Sequence, residues 1–377
     1  MRILVVNAGS STLKLRVIEA DDTVSESDDL PAIGDGPESG RMTDALGRYG
    51  PIDAIGHRIV HGGTSFCGPV VIDGEVMEQL RELSDLAPLH QPKSLAAVEA
   101  LIQAFPGIPT VACFDTAFHS GLPPFAATYA LPREWRERWG LRRYGFHGLS
   151  HSYAAARAAQ IMGHPVEGLR LVTCHLGSGA SLAAVRDGRS VDTTMGFTPL
   201  EGLVMATRSG NVDPGLLLWL QNSAGMEPDE LSDGLENRSG LQGLAGTGDM
   251  KEVLIAAERG AADAVLALDI YIHRLRGSVA AMTATLGGID GLVFTGGVGE
   301  NSPLIRQRVV EDLGFLGFAL DRDRNQTGRG DREISRPGQS PSVVVVAARE
   351  DLQIAGEVRQ MLGRGHNAVA GLPSHSA

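Results

Sequence analysis

One local pattern occurs twice in the chain and restricts its fold more than any other feature of the sequence. An apolar strand at residues 3–6 runs into a turn rich in glycine and serine at 7–11, and residues 11–15 resemble a returning strand. Residues 172–184 repeat this order of strand, turn and strand. Two halves that open with the same hairpin indicate an internal duplication.

The duplication predicts two domains. We expect an N-terminal domain at residues 1–150 and a C-terminal domain at 151–362, with the boundary between residues 145 and 170. The last residues, 363–377, are expected to form a flexible tail. The polar, weakly patterned residues 20–50 are expected to be surface loop.

Strand-like runs alternate with helical patterns along the whole chain, which favours an α/β fold with parallel or mixed sheets covered by helices. The strand candidates are residues 3–6, 54–60, 110–114, 169–174, 291–295 and 342–347. The helical patterns cover residues 74–86, 92–104, 151–162, 249–287 and 302–313.

Composition argues against several classes of protein. The net charge of −12 gives no general basic surface for nucleic acid. The chain has no apolar run of about 18 residues, which argues against a membrane span. Three separated cysteines form no CxxC pair and favour a reducing compartment. With 43% hydrophobic residues the chain can bury a core, so we expect a soluble, cytoplasmic enzyme.

The glycine-rich turns are candidates for phosphate binding. Glycine allows close approach of the backbone, and successive N–H groups form a concavity for anions. Residues 7–14 add hydroxyl groups and Lys14, and a third glycine-rich turn follows a strand at 295–301. An ordinary hairpin remains an alternative for each single turn. Walker A, protein-kinase and complete Rossmann motifs are absent from the sequence.

Two arginines and two acids lie where phosphoryl-transfer chemistry would need them. Arg58 interrupts an apolar strand, and Arg208 lies in a polar loop next to glycine. Such arginines fit the charge of a transferring phosphoryl group, with a structural ion pair as the alternative for Arg58. Asp115 and Glu350 each follow an apolar run and are candidate catalytic or Mg²⁺-binding groups, with a helix N-cap as the alternative for Asp115.

His147 and His151 are four residues apart, a spacing that places two zinc ligands on one face of a helix. HExxH is absent and Gly148 lies between them, so we favour His147 as a donor to an anion. A serine hydrolase is disfavoured because GxSxG is missing.

Taken together, these motifs resemble the acetate kinase family in the family's own order. The segments that carry the resemblance span nearly the whole chain: residues 7–14, 87–90, 114–119, 143–147, 195–202, 207–210 and 294–301. The resemblance implies a member of the acetate and sugar kinase/Hsp70/actin superfamily. It therefore implies two duplicated actin-like (ribonuclease H-like) domains, a nucleotide cleft between them, and a homodimer.

The resemblance also implies an activity and roles for residues. The activity is reversible transfer between ATP and acetate, giving ADP and acetyl phosphate. Arg58 and Arg208 would clamp the acetate carboxylate and the phosphoryl group, and His147 would donate to the same charge. Asp115 lies where the family places its catalytic acid, and we interpret it as an orienting residue because acetate needs no strong base.

Other positions match the family's binding residues. Glu350, helped by Asn7, would hold Mg²⁺, with Mn²⁺ as the alternative ion. The substrate methyl pocket would comprise Val60, Leu89, Phe146 and Pro199. The nucleotide residues would be Lys14, His175, Leu176, Gly177, Ser178, Gly179, Asp249, Met250, Lys251, Gly297, Val298, Gly299, Glu300 and Asn301.

The sequence departs from the family's pattern in a few places. Ser178 replaces the usual asparagine, Thr12 replaces a serine, and Arg349 precedes Glu350 where the family prefers a small polar residue. The stretch between Lys14 and Arg58 is shorter than usual. Two alternatives remain open: a propionate or butyrate kinase of the same fold, and an actin- or Hsp70-like ATPase.

Overall fold

The computed structural model describes residues 1–8, 12–31, 47–87 and 91–369. By its internal contacts the chain divides into two units, each built around one six-stranded sheet. No helix in these ranges combines the length and hydropathy that a bilayer crossing requires.

The first unit comprises Met1–Ser120 and Arg349–Ala377. Its strands are β1 (Ile3–Ala8), β2 (Thr12–Ile18), β3 (Val24–Pro31), β4 (Ala54–Ile59), β5 (Val70–Val71) and β6 (Thr110–Phe114). They are ordered β3-β2-β1-β4-β6-β5, and β1, β4 and β6 are parallel. Its helices are α1 (Gly74–Glu82), α2 (Gln91–Ala104) and α14 (Glu350–Val369), with 3₁₀ turns at Leu83–Leu86 and Ala117–His119.

The second unit, Gly121–Ala348, has a sheet of the same design. Its strands are β7 (Arg170–Leu176), β8 (Ala180–Arg186), β9 (Arg189–Thr193), β10 (Gly291–Thr295), β11 (Arg332–Glu333) and β12 (Ser342–Val345), ordered β11-β12-β10-β7-β8-β9. Strands β7, β10 and β12 are parallel, and the others run antiparallel to their neighbours.

Helices and short turns connect the strands of this second sheet. They are α3 (Pro124–Ala127), α4 (Arg133–Trp139), α5 (Gly148–Met162), α6 (Pro214–Asn222), α7 (Pro228–Asn237), α8 (Gly240–Ala245), α9 (Met250–Glu258), α10 (Ala262–Leu286), α11 (Gly296–Asn301), α12 (Pro303–Asp312) and α13 (Arg322–Gln326), with a 3₁₀ turn at Gly314–Leu316. Asp213, Asp249 and Ser302 cap α6, α9 and α12 through their side chains.

The two sheets confirm the predicted duplication. In each, an antiparallel meander of three strands (β1–β3 or β7–β9) is followed by two parallel strands (β4 and β6, or β10 and β12) and a two-residue antiparallel edge strand. Strands β6 and β10 are buried over their full length, as expected for parallel strands covered on both faces. The predicted α/β class with two duplicated actin-like domains is therefore confirmed.

The division into units differs from the expected boundary at residue 150 in two places. Residues 121–150 belong to the second unit, and the chain from Arg349 onward belongs to the first. Helix α14 packs against β1, β2, β4 and β6, where Ile354 and Val358 lie so close to Gly56 that a Cβ there would approach them to 2.6 and 2.8 Å. This helix continues to Val369, through the first part of the expected tail, and residues 370–377 lie outside the described residues.

The expectation of surface loop at residues 20–50 is wrong for Val24–Pro31, which forms β3. This edge strand has no apolar alternation because charges stabilise its pairing with β2: Arg16 binds Asp29 at 2.6 Å. Residues 32–46 lie outside the described residues.

The helical pattern predicted at residues 249–287 corresponds to two helices, α9 and α10. They are separated at Gly260, whose φ is +79°.

Candidate active site

Three parallel strands of the first unit carry polar side chains where they end. Asn7 lies near the end of β1, Arg58 near the end of β4, and Asp115 directly follows β6. The carboxyl ends of parallel strands meet at one edge of a sheet, which is where α/β enzymes place their ligands. The fold therefore brings together three side chains that are far apart in sequence.

Arg58 and Asp115 form a buried, two-pronged ion pair. Arg58 Nε donates to Asp115 Oδ1 at 3.0 Å and NH2 donates to Oδ2 at 2.6 Å. The side chains are 16% and 2% exposed. The ion-pair alternative for Arg58 is thus observed, whereas the N-cap alternative for Asp115 is not, since Thr116 occupies the cap of the next 3₁₀ turn.

The electrostatics of this pair keep the guanidinium charged. Burial alone would lower the Arg58 pKa, but the negative charges of Asp115 and Glu350 outweigh it and the pKa is raised. The bonds to Asp115 and Asn7 engage three of the five N–H groups of the guanidinium. Arg58 is consequently held rigidly in its cationic form.

Asn7 extends the network to Glu350. Its Oδ1 accepts from Arg58 NH1 at 3.0 Å, and its Nδ2 donates to Glu350 Oε2 at 2.8 Å. Mg²⁺ in phosphoryl-transfer sites is held by one or two carboxylates together with phosphate oxygens and waters. The Glu350 carboxylate fits that donor chemistry, whereas Asn7 turns its Nδ2 toward Glu350 and its oxygen toward Arg58. The described ranges contain no cluster of three His, Cys, Asp or Glu that could hold a metal ion.

Arg349, the unusual neighbour of Glu350, is itself paired. Its Nε and NH2 donate to the two carboxylate oxygens of Asp351, each at 2.9 Å. The guanidinium is thereby compensated within the first turn of α14. Lys14 lies on β2 opposite Asn7 in register and is exposed.

In the second unit, His147 and Arg208 point at one small region. His147 caps α5 in the left-handed conformation, with φ +57°, and His151 lies one turn into the helix. A Cβ built on Gly179 would lie 3.3 Å from His147 Nε2 and 3.6 Å from Arg208 NH1. Glycine at this position therefore leaves room beside one imidazole and one guanidinium, which is the arrangement an anion requires.

Arg208 is buried but only loosely paired. Its Nε lies 3.4 Å from Glu236 Oε2, and NH1 donates to the Pro199 carbonyl at 3.4 Å. Burial lowers the Arg208 pKa, and the charge of Glu236 opposes this only in part. An anion that bound here would restore the charge compensation that the folded protein itself supplies weakly.

Backbone bonds hold the Arg208 loop onto the glycine hairpin. The N–H of Ala206 donates to the Ser178 carbonyl at 3.0 Å. Gly240 has φ +60°, and a Cβ there would lie 2.3 Å from the Met205 carbonyl oxygen, so only glycine fits. The substituted Ser178 thus contributes a main-chain contact that does not depend on its side chain.

The expected nucleotide residues of the second unit occupy three elements: the β7–β8 hairpin (175–179), the start of α9 (249–251) and α11 (297–301). A Cβ at Gly296 would lie 2.8 Å from the Leu176 carbonyl oxygen, so α11 begins against the hairpin. Asp249 caps α9 by accepting from the Lys251 N–H at 2.8 Å. Met250 is buried, whereas Lys251 is exposed.

The expected methyl-pocket residues are only partly described. Val60 directly follows β4 and is buried in the first unit. Phe146 is buried beside His147 in the second unit, where the Pro199 carbonyl accepts from Arg208. Leu89 lies outside the described residues, as do Gly9, Ser10 and Ser11 of the first glycine-rich turn.

Sequence reasoning missed several residues that shape the site. Arg306 is fully buried, donates to the carbonyls of Gly299 and Glu300 at 2.8 Å, and so fixes the end of α11. Burial, with a smaller contribution from Arg332, lowers its pKa to about 10. The sequence could have indicated this buried arginine, because Arg306 lies next to Ile305 on the apolar face of a helix. Ser181, which contacts His147, carried no signal in the sequence.

Comparison with known proteins identifies the family. The model of the acetokinase family matches residues 42–356. An acetate kinase from Leifsonia xyli subsp. xyli is 44% identical over 394 residues, covering 96% of this chain and 99% of the relative.

Two solved structures are also similar over nearly their whole length. The acetate kinase of Porphyromonas gingivalis has a TM-score of 0.88 at 37% identity, covering 96% of this chain and 99% of its own. A propionate kinase from Francisella tularensis subsp. tularensis SCHU S4 has a TM-score of 0.87 at 36% identity, covering 94% and 98%. The chain belongs to the acetokinase family.

Proposed function

We propose that the protein is an acetate kinase, which transfers the γ-phosphoryl group of ATP to acetate and forms acetyl phosphate and ADP reversibly. Family membership supports the proposal. The observation that carries it is the convergence of His147 Nε2 and Arg208 NH1 beside Gly179. In this proposal His147 and Arg208 act on the transferred phosphoryl group of ATP.

The proposed reaction requires no covalent bond between the protein and either substrate. Acetate is ionised at neutral pH and attacks the phosphorus directly, in line with the leaving ADP oxygen, so no general base is needed. What remains is to position two anions and neutralise the charge that spreads over the phosphoryl oxygens. Arg208 and His147 would donate to those oxygens, and the two remaining N–H groups of Arg58 would engage the acetate carboxylate.

Asp115 has an orienting role in this scheme. Its carboxylate is occupied by the Arg58 guanidinium on both oxygens, which fits a residue that fixes an arginine better than one that accepts a proton. Glu350 and Asn7 would hold Mg²⁺, or Mn²⁺ as the alternative ion. The bound ion would supply further neutralisation of phosphate charge.

An acetate-dependent product assay tests the proposal. Purified protein, ATP, Mg²⁺ and acetate are incubated with hydroxylamine, which converts acetyl phosphate to a coloured hydroxamate. The proposal predicts hydroxamate that depends on all three reactants. ATP hydrolysis without hydroxamate would instead support an actin- or Hsp70-like ATPase.

Substrate length is the finer question, because one similar structure is a propionate kinase. The family resemblance assigns Val60 and Phe146 to the substrate methyl, and one methylene in an apolar pocket changes selectivity by about 10- to 200-fold. We expect kcat/KM to be at least about 10-fold higher for acetate than for propionate, and lower again for butyrate. Equal or reversed values would assign the protein to propionate or butyrate.

We also propose that the protein is a homodimer, as the family resemblance implies. Helix α6 supports this, because Leu216, Leu218 and Trp219 are exposed, the last two by 58% and 57%. Sedimentation of the wild type is expected to show a particle of twice 39.8 kDa, and Trp219→Asp is expected to give monomer. Phe315→Asp, at an exposed phenylalanine on a separate 3₁₀ turn, serves as the control. A monomeric wild type would contradict the proposal.

The proposal places the enzyme in the cytoplasm, where ATP is available. Its three cysteines support this, since Cys67, Cys113 and Cys174 are all free thiols.

A further inference from the structure

A chain of hydrogen bonds runs inward from His147 through residues without an assigned role. His147 Nδ1 lies 2.9 Å from Ser181 Oγ, and the same oxygen lies 2.8 Å from His151 Nε2. His151 Nδ1 lies 2.8 Å from Thr173 Oγ1, which in turn donates to the Ala183 carbonyl at 3.4 Å. Ser181, His151 and Thr173 are all fully buried.

The single proton of the Ser181 hydroxyl couples the two histidines. A hydroxyl between two ring nitrogens donates to one of them and accepts from the other. Consequently, either His151 Nε2 or His147 Nδ1 carries a proton toward Ser181, and the hydroxyl donates to the opposite ring.

The chain can run in two directions. In one, a neutral His147 ring carries its proton on Nε2, the nitrogen that faces Gly179. In the other, a neutral ring would carry its proton on Nδ1 alone, and Nε2 is protonated only when the ring is cationic. With a neutral ring, Thr173 donates to His151, His151 to Ser181, and Ser181 to His147 Nδ1. With a protonated ring, His147 Nδ1–H donates to Ser181, Ser181 to His151 Nε2, His151 Nδ1–H to Thr173, and Thr173 to the Ala183 carbonyl. The protonated arrangement holds one more proton, and His151 changes tautomer between the two.

We propose that Ser181, supported by His151, is a positioning residue that holds His147 with Nδ1 turned inward and a protonated Nε2 turned toward the phosphoryl site. The role rests on the proposed function of His147 as a donor to that group. Ser181 itself does not contact substrate and acts only through His147. With the ring cationic, Ser181 accepts from Nδ1–H and Nε2–H is directed at the phosphoryl site. With the ring neutral, Ser181 keeps the proton on Nε2 by donating to Nδ1.

Kinetics of Ser181→Ala test the proposal. The hydrogen-bond partners behind metal-ligating histidines typically contribute about 10- to 100-fold to affinity or activity, and we take the same range for the partner of His147. We expect kcat to fall by about that factor while KM for ATP changes less than about twofold. Ser190→Ala, which removes another buried hydroxyl of the same sheet, is the matched control and should leave kcat unchanged.

A double-variant cycle separates action through His147 from general damage. In a His147→Ala background, Ser181→Ala is expected to change kcat less than about twofold, because the residue it positions is gone. A full 10- to 100-fold loss in that background would overturn the proposal. If Ser181→Ala does not fold, Ser181→Cys keeps the shape with a weaker hydrogen bond and is expected to show the same pattern.

An NMR measurement tests the geometry without any activity. Long-range ¹⁵N–¹H spectra report which nitrogen of each histidine ring is protonated, and His147→Ala identifies the His147 signals. We expect Ser181→Ala to shift the Nδ1 and Nε2 signals of His147, and Ser190→Ala to leave them in place. Unchanged His147 signals in Ser181→Ala would overturn the proposal. A wild type that makes no acetyl phosphate would overturn the proposed function and leave this spectroscopic result standing.

Discussion

Replacing Arg208 by alanine is expected to lower kcat for acetyl phosphate formation by about 10³-fold or more. Arginines that neutralise a transferring phosphoryl group contribute 10³- to 10⁵-fold in related chemistry. Arg208 is buried, its nearest carboxylate is 3.4 Å away, and its NH1 shares the space beside Gly179 with His147. Steady-state kinetics with saturating ATP and acetate measure the effect.

The matched control is Arg238→Ala. Arg238 belongs to the same polar region but forms an exposed ion pair with Asp233 at 2.6 Å, and such pairs contribute little. We expect its kcat to stay near the wild-type value. Arg208→Lys keeps the charge without the planar fork and should recover only part of the rate. Near-wild-type turnover of Arg208→Ala would contradict a role for Arg208 in phosphoryl transfer.

Replacing Asp115 by alanine is expected to reduce both stability and turnover. The change leaves the Arg58 guanidinium buried without its main counter-charge, and removing one partner of a buried ion pair typically costs about 3–5 kcal/mol. Urea unfolding measures the change in free energy. Glu99→Ala is the control, because its pair with Arg81 is exposed and should contribute about 1 kcal/mol or less.

The Asp115→Glu variant tests whether the position of the carboxylate matters in addition to its negative charge. Glutamate keeps the charge but displaces the carboxylate by one methylene, so it cannot reproduce both contacts, at 3.0 and 2.6 Å, without moving Arg58. We expect Asp115→Glu to regain part of the stability and to remain defective in turnover. Normal turnover and normal acetate binding in this variant would contradict an orienting role for Asp115.

The sequence was sufficient for the core of the fold. Fully buried strands such as β6 and β10 appear as continuous apolar runs, and the two glycine-rich hairpins mark the start of each sheet. It was insufficient for β3, whose pairing depends on Arg16 and Asp29 rather than on apolar alternation. Helix α6 was not predicted, because periodicity signals a buried face and Leu216, Leu218 and Trp219 of this helix are exposed.

The candidate site could likewise be predicted only in part from the sequence. Arg58, Asp115 and Arg208 could be selected because charged residues next to buried strands or glycine turns are unusual. Their partners could not be deduced from spacing, since Asn7 and Glu350 meet across 343 residues of sequence. Ser181 carries no signal in the sequence and Arg306 carries only its position beside Ile305, so the packing of β8 and α12 is needed to show what they contact.

Attack of the acetate carboxylate on the γ-phosphorus of ATP is the step on which the proposed function depends. It is tested most directly by ³¹P NMR of the wild-type protein with ATP, Mg²⁺ and acetate labelled with ¹⁸O in its carboxylate. We expect acetyl phosphate whose ³¹P signal carries the isotope shift of one ¹⁸O bound to phosphorus, and about 10³-fold slower formation of this product with Arg208→Ala. Unlabelled inorganic phosphate as the only product, from attack by water, would contradict it.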